Sequence, residues 1–302
     1  MITASAPAKV ILLGEHTALY GNPVIAAAVD LRSTATVSKR LDRGVALKSW
    51  PSLGGSQIRK NRGMGMVRKA AELAGAGFDV RVQSSVPIGS GLGSSASISS
   101  ALCMAMMAEA SKHVSLRDVA LAAWKCEDLV HGKSSGVDPF AVTFGGVSLY
   151  QSSKLRAIKC KPDIVIAHSG IARNTGDIVK DLEEMKRAER ERFDKFLKES
   201  KRIVEDGRVA LERSDFGGLG RLMDENHELL KGIGVSCKEL DGLVKAAREA
   251  GALGAKLSGA GRGGIMVALV DEGSKKAVVK ALSNLGGKII EAGITGECAR
   301  LE

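Results

Sequence analysis

Apolar and polar positions follow two regimes along the chain. Up to about residue 150 they form brief alternating or wholly apolar runs, at 2–6, on both sides of a polar turn near 14–23, and at 33–39, 45–50, 78–82 and 147–150. Runs of this length bounded by turn residues predict strands. Helices are expected at 66–74, at 96–110, where neither Gly nor Pro interrupts good or neutral helix formers, and from Ser115-Leu116-Arg117-Asp118, a capping-box pattern, to about His131. The segment 51–65, rich in glycine and carrying Arg59, Lys60 and Arg62, reads as a surface loop.

From residue 163 the pattern changes. A strand at 164–168 precedes a long charged amphipathic helix over 177–205, helices at 216–230 and 239–250, strands at 255–257 and 265–270, a helix at 274–285 and a short strand at 288–290. This order fits a β-α-β-β-α-β-like half. The expectation is an α+β protein of two domains, 1–155 and 156–302.

One stretch departs from both regimes. In Val86-Pro87-Ile88-Gly89-Ser90-Gly91-Leu92-Gly93-Ser94-Ser95-Ala96, alternating glycines run from a strand into the 96–110 helix. Glycines allow backbone N–H groups close to an anion, and a helix start adds unpaired N–H groups and the positive end of the dipole. The loop is neither a Walker loop, since Ser94 stands five residues after Gly89 with no lysine following, nor a dinucleotide fingerprint, since its glycines are at 89, 91 and 93. Gly259-Ala260-Gly261-Arg262-Gly263-Gly264 does match GxGxxG, but it enters a strand at 265–270, the wrong context for a dinucleotide site. Each loop read alone is equally well a tight turn.

Composition narrows the picture. The 302 residues carry a formal charge of +10, yet aromatics make up 3% and no nucleic-acid-binding motif occurs, so small anionic substrates are expected rather than nucleic acid. The five cysteines are scattered, with no CxxC pair, which points to a reducing, cytoplasmic setting without structural zinc. Neither a signal peptide nor a membrane-spanning run is read from the sequence.

The remaining chemistry-bearing positions are Lys9, Glu15 and His16 near the first turn, Glu127 near a helix end, and Asp138 before Pro139. Asp followed by Pro is first of all a helix-cap pattern. Together with the glycine loops, however, these residues supply the components of phosphoryl transfer. The 89–95 loop would hold phosphates, Ser94 or Ser95 with Glu127 would offer hard oxygen ligands to Mg2+, Asp138 would accept the hydroxyl proton, and Lys9 would favour the charged forms.

Pro7-Ala8-Lys9 with Gly14-Glu15-His16, the Pro87 to Ala96 loop, and Lys256-Leu257-Ser258-Gly259-Ala260-Gly261-Arg262-Gly263-Gly264 resemble, in order, the three signature motifs of the GHMP kinases. His131-Gly132, Ser135-Gly136-Val137-Asp138 and Phe144-Gly145-Gly146 are most similar to the mevalonate kinase branch, and the compact length resembles its archaeal type.

The resemblance implies a ribosomal-protein-like N-terminal domain, a ferredoxin-like C-terminal domain, ATP and Mg2+ as cofactors, mevalonate as acceptor and a homodimer. By motif it implies catalytic roles for Asp138 and Lys9, and ATP contacts from Pro87, Gly89, Ser90, Gly91, Leu92, Gly93, Ser94, Ser95 and Gly261. It also implies metal ligation by Ser95 and Glu127, and substrate contacts from Glu15, His16, Gly259, Ala260 and the Arg173-Asn174-Thr175 segment. Ser134, Pro139 and Arg262 depart from the branch's usual proline, asparagine and glycine. A sister kinase for phosphomevalonate, another mevalonate hydroxyl, homoserine or a sugar, and a non-catalytic ligand sensor, are the alternatives.

Overall fold

The structure is a computed structural model describing residues 1–51, 57–110, 113–132, 134–172 and 175–302. In chain order its elements are β1 (Ile2–Leu13), a 3-10 turn (Thr17–Tyr20), β2 (Val24–Lys39), β3 (Val45–Ser49), α1 (Gln57–Ala74), β4 (Phe78–Ser84), α2 (Ser94–Ala110), α3 (Leu116–His131), α4 (Val137–Phe144), β5 (Val147–Gln151) and β6 (Lys154–Ile158). There follow β7 (Asp163–His168), α5 (Thr175–Ala188), α6 (Arg190–Glu212), α7 (Phe216–Gly232), α8 (Lys238–Glu249), β8 (Gly254–Ser258), β9 (Ile265–Val270), α9 (Lys275–Asn284), β10 (Lys288–Ile290) and β11 (Arg300–Leu301).

The first sheet is built on β2, which pairs with β1, β4 and β5, all antiparallel, while β3 joins β4 in parallel and β11 returns to pair with β1. The expected strands at 24–29 and 33–39 are one continuous strand. Arg32 lies in its middle because its guanidinium donates to Ser5 Oγ (2.8 Å) and to the Cys298 carbonyl (2.9 Å). Pro7, which has no N–H to give, sits where the β1–β2 register shifts.

Helix α2 packs on β1 and β2 and is also flanked by α1, α3 and α4. A helix enclosed in this way has no use for an amphipathic stripe, and its Ala and Ser residues keep it thin. Its hydroxyls find partners inside: Ser97 Oγ donates to the Ala6 carbonyl (2.8 Å), and Ser100 Oγ lies 2.9 Å from Thr143 Oγ1.

The second sheet has the order β10-β7-β9-β8, entirely antiparallel. Numbered within its own half this is 4-1-3-2 on a β-α-β-β-α-β path, the ferredoxin-like arrangement. The change of sheet falls between Ile158 and Asp163, because β6 still pairs with β5; the sequence-drawn division at 155/156 would cut through β6. One apolar cluster spans both halves, joining Leu12, Leu13 and Ile25 to Ile166, Ile203, Leu219, Met223 and Val267.

Several local expectations change. The helix expected from residue 66 begins at Gln57, inside the segment read as a loop. The single helix over 177–205 is two, α5 and α6, separated at Glu189 with φ −129 and ψ 55. Strands β6 and β11 were not expected. Ser115 does cap α3, its side chain accepting from the Asp118 N–H. Among the described residues no helix is long and apolar enough to cross a membrane.

Candidate active site

Lys9 emerges from the middle of β1 into the space where α2 and α4 begin. Its backbone N–H donates to the Leu92 carbonyl (2.9 Å), its ammonium donates to the Gly91 carbonyl (3.2 Å), and the same ammonium lies 3.1 Å from Asp138 Oδ1. The glycine loop is thus folded directly over Lys9. Gly93 has to be glycine twice over: its φ is +70, and a Cβ there would meet Lys9 Cε and Cγ at 3.0 Å. Its carbonyl accepts from the Ser97 N–H (2.9 Å), so the loop passes into α2 at this residue.

The loop is internally braced. Ser90 Oγ donates to the Pro87 carbonyl (2.7 Å) and accepts from the Leu92 N–H (3.3 Å), with positive φ at Gly89 and Gly91 on either side. Leu92 is fully buried and anchors the turn. Ser94 Oγ is buried with no hydrogen-bond partner.

Asp138 does not cap α4. Gly136, at φ 81, takes that position, and Asp138 stands in the first helical turn with its carboxylate turned to Lys9. The carboxylate at this helix N-terminus is favoured by the dipole, and at 35% side-chain exposure it is open to a ligand.

Glu127 reaches the same region from the last turns of α3 and accepts a hydrogen bond from Ser95 Oγ. Burial pushes its carboxyl up to about 8, and the nearby charge of Asp138 adds to this against the Ser95 hydrogen bond. The donor set fits Mg2+: a carboxyl and a hydroxyl side by side, both hard oxygen ligands, and the loop holds a second buried hydroxyl, Ser94 Oγ, that has no hydrogen-bond partner. A carboxyl holding its proton near neutrality is one that a divalent cation would ionise.

The first-motif turn is held by the second sheet. Ser258 Oγ donates to the Ile11 carbonyl (3.0 Å) and accepts from the Ile11 N–H (2.9 Å), and the Gly14 N–H donates to Asn226 Oδ1 (3.3 Å). Glu15 is buried against Lys256 in an ion pair, and its Oε2 is left without a partner. Burial pushes the Glu15 carboxyl up and the Lys256 ammonium down, each being the other's main compensation. Glu15 therefore lies in the interior between the halves. His16 is half-buried at φ 68, and its Nε2 donates to the Ala260 carbonyl (2.9 Å).

Gly259 and Gly261 both have φ +88, and a Cβ on Gly261 would meet the Val235 carbonyl at 1.9 Å. Arg262 turns away from the glycine loop at 89–95, its guanidinium donating to the Gly234 carbonyl (3.0 Å) and pairing with Asp181. Thr175 is the first residue of α5; its side chain, together with Arg173 and Asn174, lies outside the described residues.

Three contributors were not singled out from sequence: Lys256, Asn226 and His227. His227 Nδ1 accepts from the Leu257 N–H (3.3 Å), so the proton is on Nε2, 3.2 Å from Asp241 Oδ1. Burial lowers its pKa to about 4. For Lys256 the signal available is a charge inside an otherwise apolar strand, whereas Asn226 and His227 sit among the charged residues of α7 and carry no such signal.

The chain matches the family models described as GHMP kinases N terminal domain, over residues 61–146, and GHMP kinases C terminal, over 208–288. It is 36% identical to a mevalonate kinase of Thermococcus sibiricus over 332 aligned positions, covering 100% of this chain and 98% of that one. It is also 36% identical to a mevalonate kinase of Methanothermobacter thermautotrophicus, covering 88% and 89%. Among solved structures, the L. major mevalonate kinase in complex with R-mevalonate superposes with a TM-score of 0.86 at 29% identity, covering 99% and 97%. The motifs, the two folds and full-length similarity agree: this chain belongs to the mevalonate kinase family of the GHMP kinases.

Proposed function

We propose that the protein transfers the γ-phosphoryl group of ATP to the primary hydroxyl of (R)-mevalonate, giving 5-phosphomevalonate for isoprenoid synthesis. The observation that carries this reading is the Lys9–Asp138 pair lying directly beneath a braced glycine loop at a helix start. Full-length similarity to proteins named mevalonate kinase supports the choice of acceptor.

In this reading Asp138 accepts the proton of the attacking hydroxyl, and Lys9 stabilises the negative charge that develops on the acceptor oxygen. Loop N–H groups from Gly89 to Ser95 hold the phosphates. Mg2+, held by Ser95 and Glu127, would neutralise charge on the phosphate oxygens. His16, Gly259 and Ala260 line the acceptor side. Glu15 acts on that side through the turn it fixes, and Gly261 lets the third loop pass close to Val235.

We also propose two domains divided within residues 159–162, since the sheets change over there. A cytoplasmic homodimer is the form the family resemblance suggests, and five unpaired cysteines are in keeping with a reducing compartment.

The test is a panel assay: purified protein, ATP and Mg2+ with mevalonate, its phosphates, homoserine and sugars, the phosphorylated position being read by NMR. Mevalonate phosphorylated on its primary hydroxyl is expected. Turnover confined to another acceptor overturns the assignment, and no turnover with any acceptor points to a sensing protein.

A further inference from the structure

Arg262 occupies a backbone conformation, φ 51, that glycine adopts freely and long side chains rarely do. Its side chain is correspondingly well used. The backbone N–H donates to the Val235 carbonyl (2.9 Å), Nε donates to the Gly234 carbonyl (3.0 Å), and Nη1 pairs with Asp181 in the middle of α5. Two residues on, the Gly264 N–H donates to the Ile171 carbonyl (3.1 Å), and Gly264 accepts from the Ser169 N–H (2.8 Å). The third glycine loop therefore grips the segment entering α5 at one point and α5 itself at another.

Apolar packing holds one face of α5, where Ile178 and Leu182 are buried in the second-half core and Met185 packs against it. A cavity of about 310 Å3, lined by Leu182, Met185, Ile233, Val235 and Arg262, lies between this helix and the turn after α7. Polar contacts flank that face and set the helix's position along it. Asp181 pairs with Arg262 on one side, while on the other Glu183 Oε1 accepts from Tyr20 Oη (2.8 Å) and the Lys186 ammonium stands 4.8 Å above the Tyr20 ring. Tyr20 ends the 3-10 turn that His16 opens, and His16 donates to Ala260, two residues before Arg262. Helix α5 thus bridges the two backbone segments that set the position of His16.

We propose that Arg262 is a positioning residue for the acceptor side: through Asp181 it sets α5 against the third glycine loop and thereby fixes the Ala260 carbonyl that orients His16. The proposal rests on the acceptor side being formed by His16 and the third loop. It concerns neither the phosphate loop nor the Lys9–Asp138 pair.

The experiment compares Arg262→Gly, Asp181→Asn and the charge-exchanged double variant Arg262→Asp/Asp181→Arg with wild type, measuring KM for each substrate, kcat and Tm. Gly suits φ 51 without strain and Asp tolerates it, so all three are expected to fold. Each single variant should raise KM for the acceptor about fivefold, the scale of a partly exposed ion pair, with KM for ATP and kcat within about twofold. The exchanged pair should recover part of the loss. Unchanged acceptor KM in the single variants overturns the proposal, as does an equal rise in both KM values or a rise that the exchange does not relieve. The acceptor used is whichever one wild type turns over, so failure of the mevalonate assignment shows in wild type and failure of this proposal shows in the variants. A wild-type protein with no acceptor overturns both.

Discussion

Two lysine–carboxylate pairs stand on facing strands of the two sheets, and they differ chiefly in how much water reaches them. Lys256 on β8 and Glu15 are sealed, with side-chain exposures of 0% and 1%. Lys9 on β1 is equally buried at 3%, but its partner Asp138 is 35% exposed. In the sealed pair desolvation is the leading influence on both groups. The same chemistry thus serves two ends. Enclosed on all sides it is a fastener between the halves, costly to break and unable to meet a substrate. Left open on the carboxylate side it has the solvent access that the proposed role of Asp138, receiving a hydroxyl proton beside a cation, requires. Lys9 also contributes a field at Glu15 and at Glu127, so the two pairs and the candidate metal site form one electrostatic system.

The comparison breaks most visibly if the open pair proves dispensable. Asp138→Asn should lower kcat by about 10²–10⁴-fold, the usual worth of a positioned general base. It should lower Tm less than breaking the sealed pair does, because Asn keeps an acceptor for the buried Lys9 ammonium, which also donates to the Gly91 carbonyl, and solvent reaches the Asp138 side. Near-normal turnover with intact ATP binding would remove Asp138 from the chemistry.

The sealed pair should fail in the opposite sense. Lys256→Met leaves Glu15 buried and uncompensated and should cost about 3–5 kcal/mol of unfolding free energy, read by denaturant titration. Glu15→Leu combined with it should recover much of that loss, since replacing both charges removes the desolvation penalty. If Lys256→Met were as stable as wild type, the fastener reading would fail.

Residue-level cues account for what was readable beforehand. The strand at Ile265–Val270 and the capped start of α3 followed from local apolar runs and from Ser115-Leu116-Arg117-Asp118. The Gly89 to Ser95 loop was visible because positive φ demands glycine at fixed intervals. Other features depend on partners distant in sequence. Lys256 in Gly254–Ser258 reads only as the start of the third glycine motif until Glu15 is brought beside it, 241 residues away. β11 is two residues long and exists because β1 offers an edge. Asp138-Pro139 carries the statistics of a cap, and only the Gly136 turn, with Lys9 opposite, shows that the carboxylate is used elsewhere. The break at Glu189 has no glycine or proline to announce it. Fold class and the glycine loop were therefore legible from short-range pattern, whereas the inter-sheet contacts that place Glu15 and His16 were not.

The smallest effect concerns Glu127, the buried carboxyl beside the open pair. Its pKa is raised from an ordinary 4.5 to about 8, chiefly by burial. Between those values the folded protein binds a proton that the unfolded chain has released, so this group makes stability fall as pH rises. His227 works the other way, lowered from 6.5 to about 4, its contribution being gained as pH rises through that interval and complete above 6.5. A scan from pH 6.5 to 8.5 on the ligand-free protein therefore lies clear of His227, and the difference between wild type and Glu127→Gln over that range isolates Glu127 from the other buried groups, Glu15 and Lys256 among them. Over the first 1.5 units the loss is at most about 2 kcal/mol, from 1.36 kcal/mol per unit. Glu127→Gln keeps an acceptor for Ser95 but cannot ionise, so its Tm should fall less steeply over the same range. Parallel profiles for the two proteins would mean that Glu127 is already charged without a cation. The region beneath the glycine loop would then tolerate an anion as readily as the open side of Asp138 does, and the contrast between sealed and solvated carboxylates would not extend to the candidate metal site.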